Sequence, residues 1–254
     1  MPALLSDPAF YAVAVPAVII VGLAKGGFSG VGILSTPLLA LVLPPVQAAA
    51  LLLPLLIVQD AVSVWVYRRS WDKRNLAILL PAGAVGVLLG YLFASRVSEA
   101  AVLAAVGGIS VLFAANQLIR QALGHRLVAR RASWPLGLLC GTGSGFTSTV
   151  VHAGGPPLHI YLLPQRLERD IFVGTNALYF AALNWMKVVP YAALGQFGRD
   201  TMILAAALLP VAIASTFAGV WLVRRVPHER FLTLTNGLLL LLGAKLVWDG
   251  LAAL

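Results

Sequence analysis

GLLCGTGSGFTSTVVHAGGPPLHIYLLP, residues 137–164, decides how this chain is read: it holds six glycines, six hydroxyl residues counting Tyr161, and the histidines His152 and His159. It carries no acid, lysine or arginine, and it sits inside a very apolar sequence. Backbone inside a bilayer has to satisfy its own hydrogen bonds, so irregular backbone there is tolerated only where it is buried or lines a cavity. The stretch reads as a broken helix around a site. Its proline-flanked end, Pro157–Pro164 (PLHIYLLP), has a counterpart in Pro37–Pro44 (PLLALVLP).

The surroundings agree. Of the 254 residues 60% are hydrophobic and 11% charged, and mean hydropathy is +0.91. A soluble domain carries about 25% charged residues. Several apolar runs are long enough for a hydrocarbon core about 30 Å thick. The chain is therefore expected to be an all-α polytopic membrane protein. The net charge of +9 does not point to nucleic acid, because the bases lie in short loops between apolar runs, where cytoplasmic bias and anionic lipid account for them. A lone Cys140 excludes an intrachain disulfide. Asp7 and the lack of a basic leader predict that the first apolar run is retained.

Taken in order, residues 9–24 read as a helix, and Lys25-Gly26-Gly27-Phe28-Ser29-Gly30-Val31-Gly32 as its break. Ser35-Thr36-Pro37 offers helix-starting chemistry, a hydroxyl cap followed by proline. Helices follow over 46–67, 76–95 and 99–119, then a basic linker, then spans over 168–194, 200–223 and 229–251. Gly22–Gly26 (GLAKG) matches Gly137–Gly141 (GLLCG), and Pro81-Ala82-Gly83 matches Pro210-Val211-Ala212. Residues 1–120 read as a first repeat, 121–133 as a cytoplasmic linker and 134–254 as a second repeat.

Charge bias orients the repeats. If each opening segment is a hairpin, loops 68–74, 120–131, 166–169 and 224–230 share one side with thirteen Lys and Arg, against Arg96 and Arg199 opposite. Counting the segments as single crossings divides the bases nine to six, a poor fit to the positive-inside rule. The expected architecture is two inverted-topology repeats, each a broken-helix hairpin plus three transmembrane helices. It places the chain in the plasma (inner) membrane with both termini on the non-cytoplasmic side. Such repeats typify secondary transporters, with sites at discontinuous helices.

Helix N-termini offer unpaired N–H groups and partial positive charge, so two such ends predict an anion site. The expected substrate-binding set is Lys25, Gly26, Gly27, Ser29, Ser35 and Thr36 in the first half. In the second it is Ser144, Thr147, Ser148, Thr149, His152, Gly154, Gly155, Asn184 and Lys187. The glycines read alternatively as helix-packing positions, and Lys25 as a lysine reaching for an interface. Asp60 and His152 are candidate proton carriers, with Asp60 alternatively a partner for an arginine or lysine. No metal set is expected, since His152 and His159 lack a Cys or acid beside them; no cofactor is expected either. Lys245 and Asp249 read as an interfacial pair, and Trp65, Trp71, Trp134, Trp221 and Trp248 as interface anchors.

The duplicated openings (Gly22 to Pro37, Gly137 to Pro157), each followed by three apolar spans, resemble the TauE/SafE family of sulfite or organosulfonate exporters. The run Asn184, Lys187, Tyr191 and Gly195 is similar to that family's pattern as well. The resemblance spans essentially the whole chain and implies transport of a small sulfur-containing anion such as sulfite or a sulfonate. Lys25 opposite Cys140 makes the halves chemically unequal. A passive anion channel is the alternative within transport. A membrane-embedded hydrolase built on Asp60, His152 and Ser148 is a further one, against which stand the missing GxSxG and HExxH motifs. The partners expected are the anion and the bilayer, with no nucleic acid, and a homodimer stays open.

Overall fold

The computed structural model describes residues 7–28, 31–94, 96, 98–123, 133–223, 225 and 228–253. Ten α-helices run through them: α1 Pro8–Gly26, α2 Ser35–Leu39, α3 Pro45–Tyr67, α4 Lys73–Ala94, α5 Glu99–Ala122, α6 Trp134–Val151, α7 Gly155–Leu162, α8 Arg169–Ala193, α9 Arg199–Leu222 and α10 His228–Ala252. Short 3-10 turns cover Val31–Leu34 and Leu163–Gln165. Among the described residues there is no strand. Among the described residues, five helices (α1, α3, α4, α5 and α9) are long and apolar enough to cross a membrane. The protein is an all-α polytopic membrane protein. α8 is as long, at 25 residues, but more polar; its Thr175, Asn176, Asn184 and Lys187 are all buried inside the bundle.

Local chemistry sets the helix starts. Asp7 caps α1 by accepting from Ala9 N at 2.9 Å, with Pro8 opening the helix, an arrangement that satisfies one orphan N–H and needs none from proline. Ser98 caps α5 in the same way through Ala101 N. Five helices carry an internal proline: Pro16, Pro54, Pro81, Pro190 and Pro210. Trp65, Trp134, Trp221 and Trp248 project outward, whereas Trp71 packs beside a buried cluster and donates to Arg68 O. Lys245 and Asp249 pair across one helical turn.

The packing follows a reciprocal pattern. α1 packs along α9 and α6 along α4, while α3 meets α8 and α5 meets α10. Exchanging the first five helices for the last five maps this set onto itself. The buried clusters obey the same exchange: one joins α1, α2, α3 and α9, its counterpart α6, α7, α8 and α4. A third joins α5 and α10 to the segments next to both helix breaks. In lipid, helices associate through close packing, which small residues permit. A Cβ on Gly26 would stand 2.4 Å from Val220 N, and one on Gly145 would stand 2.2 Å from Gly83 O.

Two expectations need correcting. The match of Gly22–Gly26 with Gly137–Gly141 is displaced by about two helical turns. Leu23 O lies 2.9 Å from the Cβ position of Gly219, and Phe146 O lies 3.0 Å from that of Gly90. The packing therefore pairs Gly22 with Gly145 and Gly26 with Thr149. Glycine recurs every four residues through much of α6, so sequence matching could slip along it without penalty. The second correction concerns Ser35-Thr36-Pro37, expected to start a hydroxyl-capped helix through the Pro37–Pro44 segment. α2 stops at Leu39, and its start is not hydroxyl-capped: Leu34 is already helical and Ser35 Oγ bonds back to Gly32 O at 2.8 Å.

Candidate functional site

Two long helices end inside the bundle. α1 ends at Gly27, in the positive-φ region at 134° that glycine adopts without strain. α6 ends at His152, whose φ of 53° is left-handed, an uncommon conformation for a side chain of this size. The unwound carbonyls after α6 are satisfied from within: Ser144 Oγ donates to Gly154 O at 2.6 Å and Thr147 Oγ1 to Ala153 O at 2.9 Å. That is the requirement on irregular backbone in lipid, met by two of the stretch's hydroxyls. Tyr67 donates to Gly26 O and Tyr191 to Thr149 O, each anchoring the last turn of a broken helix.

Asp60, on α3 and 1% exposed, accepts from Lys25 Nζ at 2.5 Å on one oxygen and from Asn184 Nδ2 at 2.5 Å on the other. This single carboxylate ties α1, α3 and α8 together. Lys25 also stands 5.1 Å from the centre of the Phe180 ring, a cation–π contact. Ser63, one turn beyond Gln59 on α3, donates to Lys25 O at 2.9 Å.

Lys187 is 0% exposed and has no carboxylate against it. Its ammonium reaches Ser148 O and Ser148 Oγ, both at 3.1 Å, and His152 Nδ1 at 2.8 Å. Three acceptors match its three N–H donors. The other histidine nitrogen, Nε2, lies 2.8 Å from Ala49 O. A carbonyl only accepts, so Nε2 carries the hydrogen and Nδ1 accepts from Lys187; the tautomer follows from the partners. This explains how a histidine is kept left-handed: the ring is bonded at both nitrogens.

Between the two breaks lies a cavity of about 100 Å³. Lys25, Gly32, Ser35, Ser148, His152, Gly155, His159, Asn176 and Asn184 line it on its polar side, with Leu52, Leu56, Val173 and Phe180 among its apolar residues. A buried water needs roughly 10–15 Å³, so the space holds several waters or one small oxyanion. Lys25 supplies the lysine of the lining, and the Ser148 hydroxyl and the second amide N–H of Asn176 and of Asn184 supply further donors, whereas the Ser35 hydroxyl and both His152 nitrogens are already engaged.

Of the sequence-derived candidates, Lys25, Ser35, Ser148, His152, Gly155 and Asn184 meet in this cavity. Lys187 and Asp60 stand directly behind it, bonded to its lining. Gly26 and Gly27 pack toward α9 and Val223, and Gly154 against Phe180 and Ser144. Ser144 and Thr147 cap the break, Thr149 bonds back to Gly145 O, and Thr36 Oγ1 is buried without a partner. Ser29 lies outside the described residues. His159 and Asn176 line the cavity although neither was in the expected set; Asn176 stands two turns before Asn184 on α8, the one signal that could have found it. The start of α7 offers few N–H groups, because Pro156 and Pro157 have none. Asp60, His152 and Ser148 do not form a relay, as both histidine nitrogens are engaged by Ala49 and Lys187. Among the described residues no three His, Cys, Asp or Glu side chains gather as a metal-ligand set.

A helical bundle with two interrupted helices, a polar cavity lined by Lys25 between them and the buried Lys187 behind it defines a polytopic membrane protein with an internal polar site. The chain belongs to the TauE/SafE sulfite exporter family, whose family model matches residues 14–246. No curated protein and no solved structure matches the chain.

Proposed function

We propose that the protein is a secondary transporter that exports a small sulfur-containing anion, such as sulfite or an organosulfonate, by alternating access around the two helix breaks. The observation that carries this reading is the cavity itself, where Lys25 and the donors of both breaks converge in a chain of the sulfite exporter family. A sulfonate presents oxygens that only accept, and the polar lining is rich in donors. The apolar lining, including Leu52, Leu56 and Phe180, suits a short carbon chain beside the sulfonate.

The reciprocal packing supports a pair of inverted-topology repeats, residues 1–120 and 134–254 joined by a basic linker. With the charge bias, that arrangement puts the linker in the cytoplasm and both termini outside it, in the plasma (inner) membrane. Rocking of one half against the other would then expose the cavity to each side in turn.

The test is thermal stabilisation of the detergent-purified protein by sulfite, sulfate, thiosulfate, sulfoacetate, taurine, formate and acetate. Saturable stabilisation by sulfite or a sulfonate, lost in Lys25→Ala, is expected. Equal stabilisation by every anion, unaffected by that change, would remove the assignment. Flux in vesicles separates carrier from channel: a channel conducts far faster and shows no exchange between trans anions.

A further inference from the structure

Lys25 faces the cavity, yet its ammonium is already taken by Asp60 at 2.5 Å. We propose that Asp60 is an internal stand-in for the substrate, so that each anion enters together with one proton, which neutralises the displaced carboxylate. This rests on the anion-carrier reading above and adds its coupling ion.

The geometry leads there in three steps. An incoming anion needs a cation, and the ammonium that reaches the cavity is the one Asp60 holds. When Lys25 turns to the anion, Asp60 is left 1% exposed with only the neutral Asn184 as its partner. A buried charge stripped of its counter-ion is strongly unfavourable, and protonation is the way a carboxylate escapes that state.

Other groups near Asp60 do not take over the hydrogen bond that Lys25 leaves. Lys187, on α8 one turn beyond Asn184, has its three N–H donors committed to Ser148 O, Ser148 Oγ and His152 Nδ1. His152, at the end of α6, is bonded at both nitrogens, so it has no free position for an added proton. His159 of α7 also lines the cavity. Of the two proton carriers the sequence offered, the arrangement selects Asp60.

The step balances. One proton from solvent forms an O–H bond at Oδ1, the oxygen Lys25 leaves, while Oδ2 keeps accepting from Asn184 Nδ2. Lys25 stays an ammonium and exchanges a carboxylate for the anion. A monovalent anion and a proton cross together with no net charge.

The experiment uses methanesulfonate and ethanesulfonate, whose sulfonates stay ionised at any working pH, so the probe itself does not titrate. Binding to the purified full chain is measured by calorimetry across pH in two buffers of different ionisation enthalpy, which counts protons directly. In the wild type, affinity should rise about tenfold for each unit of pH lost over the titrating range, with close to one proton taken up per anion. Asp60→Asn should bind more tightly than wild type at neutral pH and lose the slope. If Asp60→Asn does not fold, the wild-type proton count decides alone. Binding without proton uptake overturns the coupling and leaves the anion site standing. A slope that survives in Asp60→Asn overturns the assignment to Asp60. No binding of either probe, in wild type or variant, overturns the sulfonate reading and the coupling with it.

Discussion

Asp60 of α3 and Asn184 of α8 hydrogen-bond to each other at 2.5 Å, 124 positions apart. The same spacing separates Tyr67 from Tyr191, which make equivalent bonds to the ends of α1 and α6, and Ser63 from Lys187, which donate to Lys25 O and Ser148 O. Asp60 and Asn184 thus hold equivalent places in the reciprocal packing of α3 and α8. One position is an acid and the other an amide, which places a single buried carboxylate where two would repel.

That relationship predicts strong coupling. Asp60→Asn leaves Lys25 unpaired, and Asn184→Asp sets two carboxylates together. Each single change should cost about 3 kcal/mol or more. The exchanged double variant restores an acid–amide contact, so its cost should fall short of the sum by at least ~1 kcal/mol. Denaturation midpoints in detergent for the four proteins test this, and simple additivity would rule out a mutual contact.

Lys187→Ala should be costly for a different reason. It removes the donor from His152 Nδ1, at roughly 1–3 kcal/mol for a stranded acceptor, while Ser148 O keeps its bond from His152 N at 3.1 Å. It also frees the ring that keeps residue 152 left-handed. Loss of anion-dependent stabilisation is expected along with a lower melting temperature. A variant as stable as wild type and still stabilised by anion would take Lys187 out of the site.

Adjacent glycines should behave oppositely. A Cβ on Gly155 would find His159 Cε1 at 3.6 Å, an ordinary contact, whereas one on Gly154 would meet Phe180 Cε1 at 2.7 Å and Ser144 O at 2.8 Å. Gly155→Ala should fold normally and obstruct the cavity it lines. Gly154→Ala should lower the yield of folded protein. Size-exclusion profiles read the first difference and vesicle uptake the second; full flux through Gly155→Leu would show that the position is only packing.

Sidedness is tested by cysteine labelling in a Cys140→Ala background, which removes the native thiol. A cysteine placed within residues 121–133 should react from the cytoplasmic side alone. Reaction from the outside would overturn the hairpin topology.

The helices were legible because their apolar runs are long and sharply bounded: the starts expected at 9, 46 and 99 lie within a residue of the observed Pro8, Pro45 and Glu99. Five of the six candidates that line the cavity stood out as polar side chains in apolar surroundings, and Gly155 as part of a glycine pair before two prolines. Others were not separable by sequence. Ser144 and Ser148 have the same chemistry and stand one turn apart, yet one caps a carbonyl and the other faces Lys187. The direction of a side chain around a glycine-rich helix depends on which neighbour it packs against. The pairing of Lys25 with Asp60 joins residues 35 apart with no spacing rule to announce it.

The crossed pairing of α1 with α9 and of α4 with α6 has a consequence for biosynthesis. α1 leaves the ribosome first, but the surface that receives Gly22 and Gly26 belongs to Ser215 and Gly219, made almost two hundred residues later. Through most of translation α1 must therefore wait with its glycine face unmatched. The early and late helices are clasped like interlaced fingers, so neither set is finished before the other has been made.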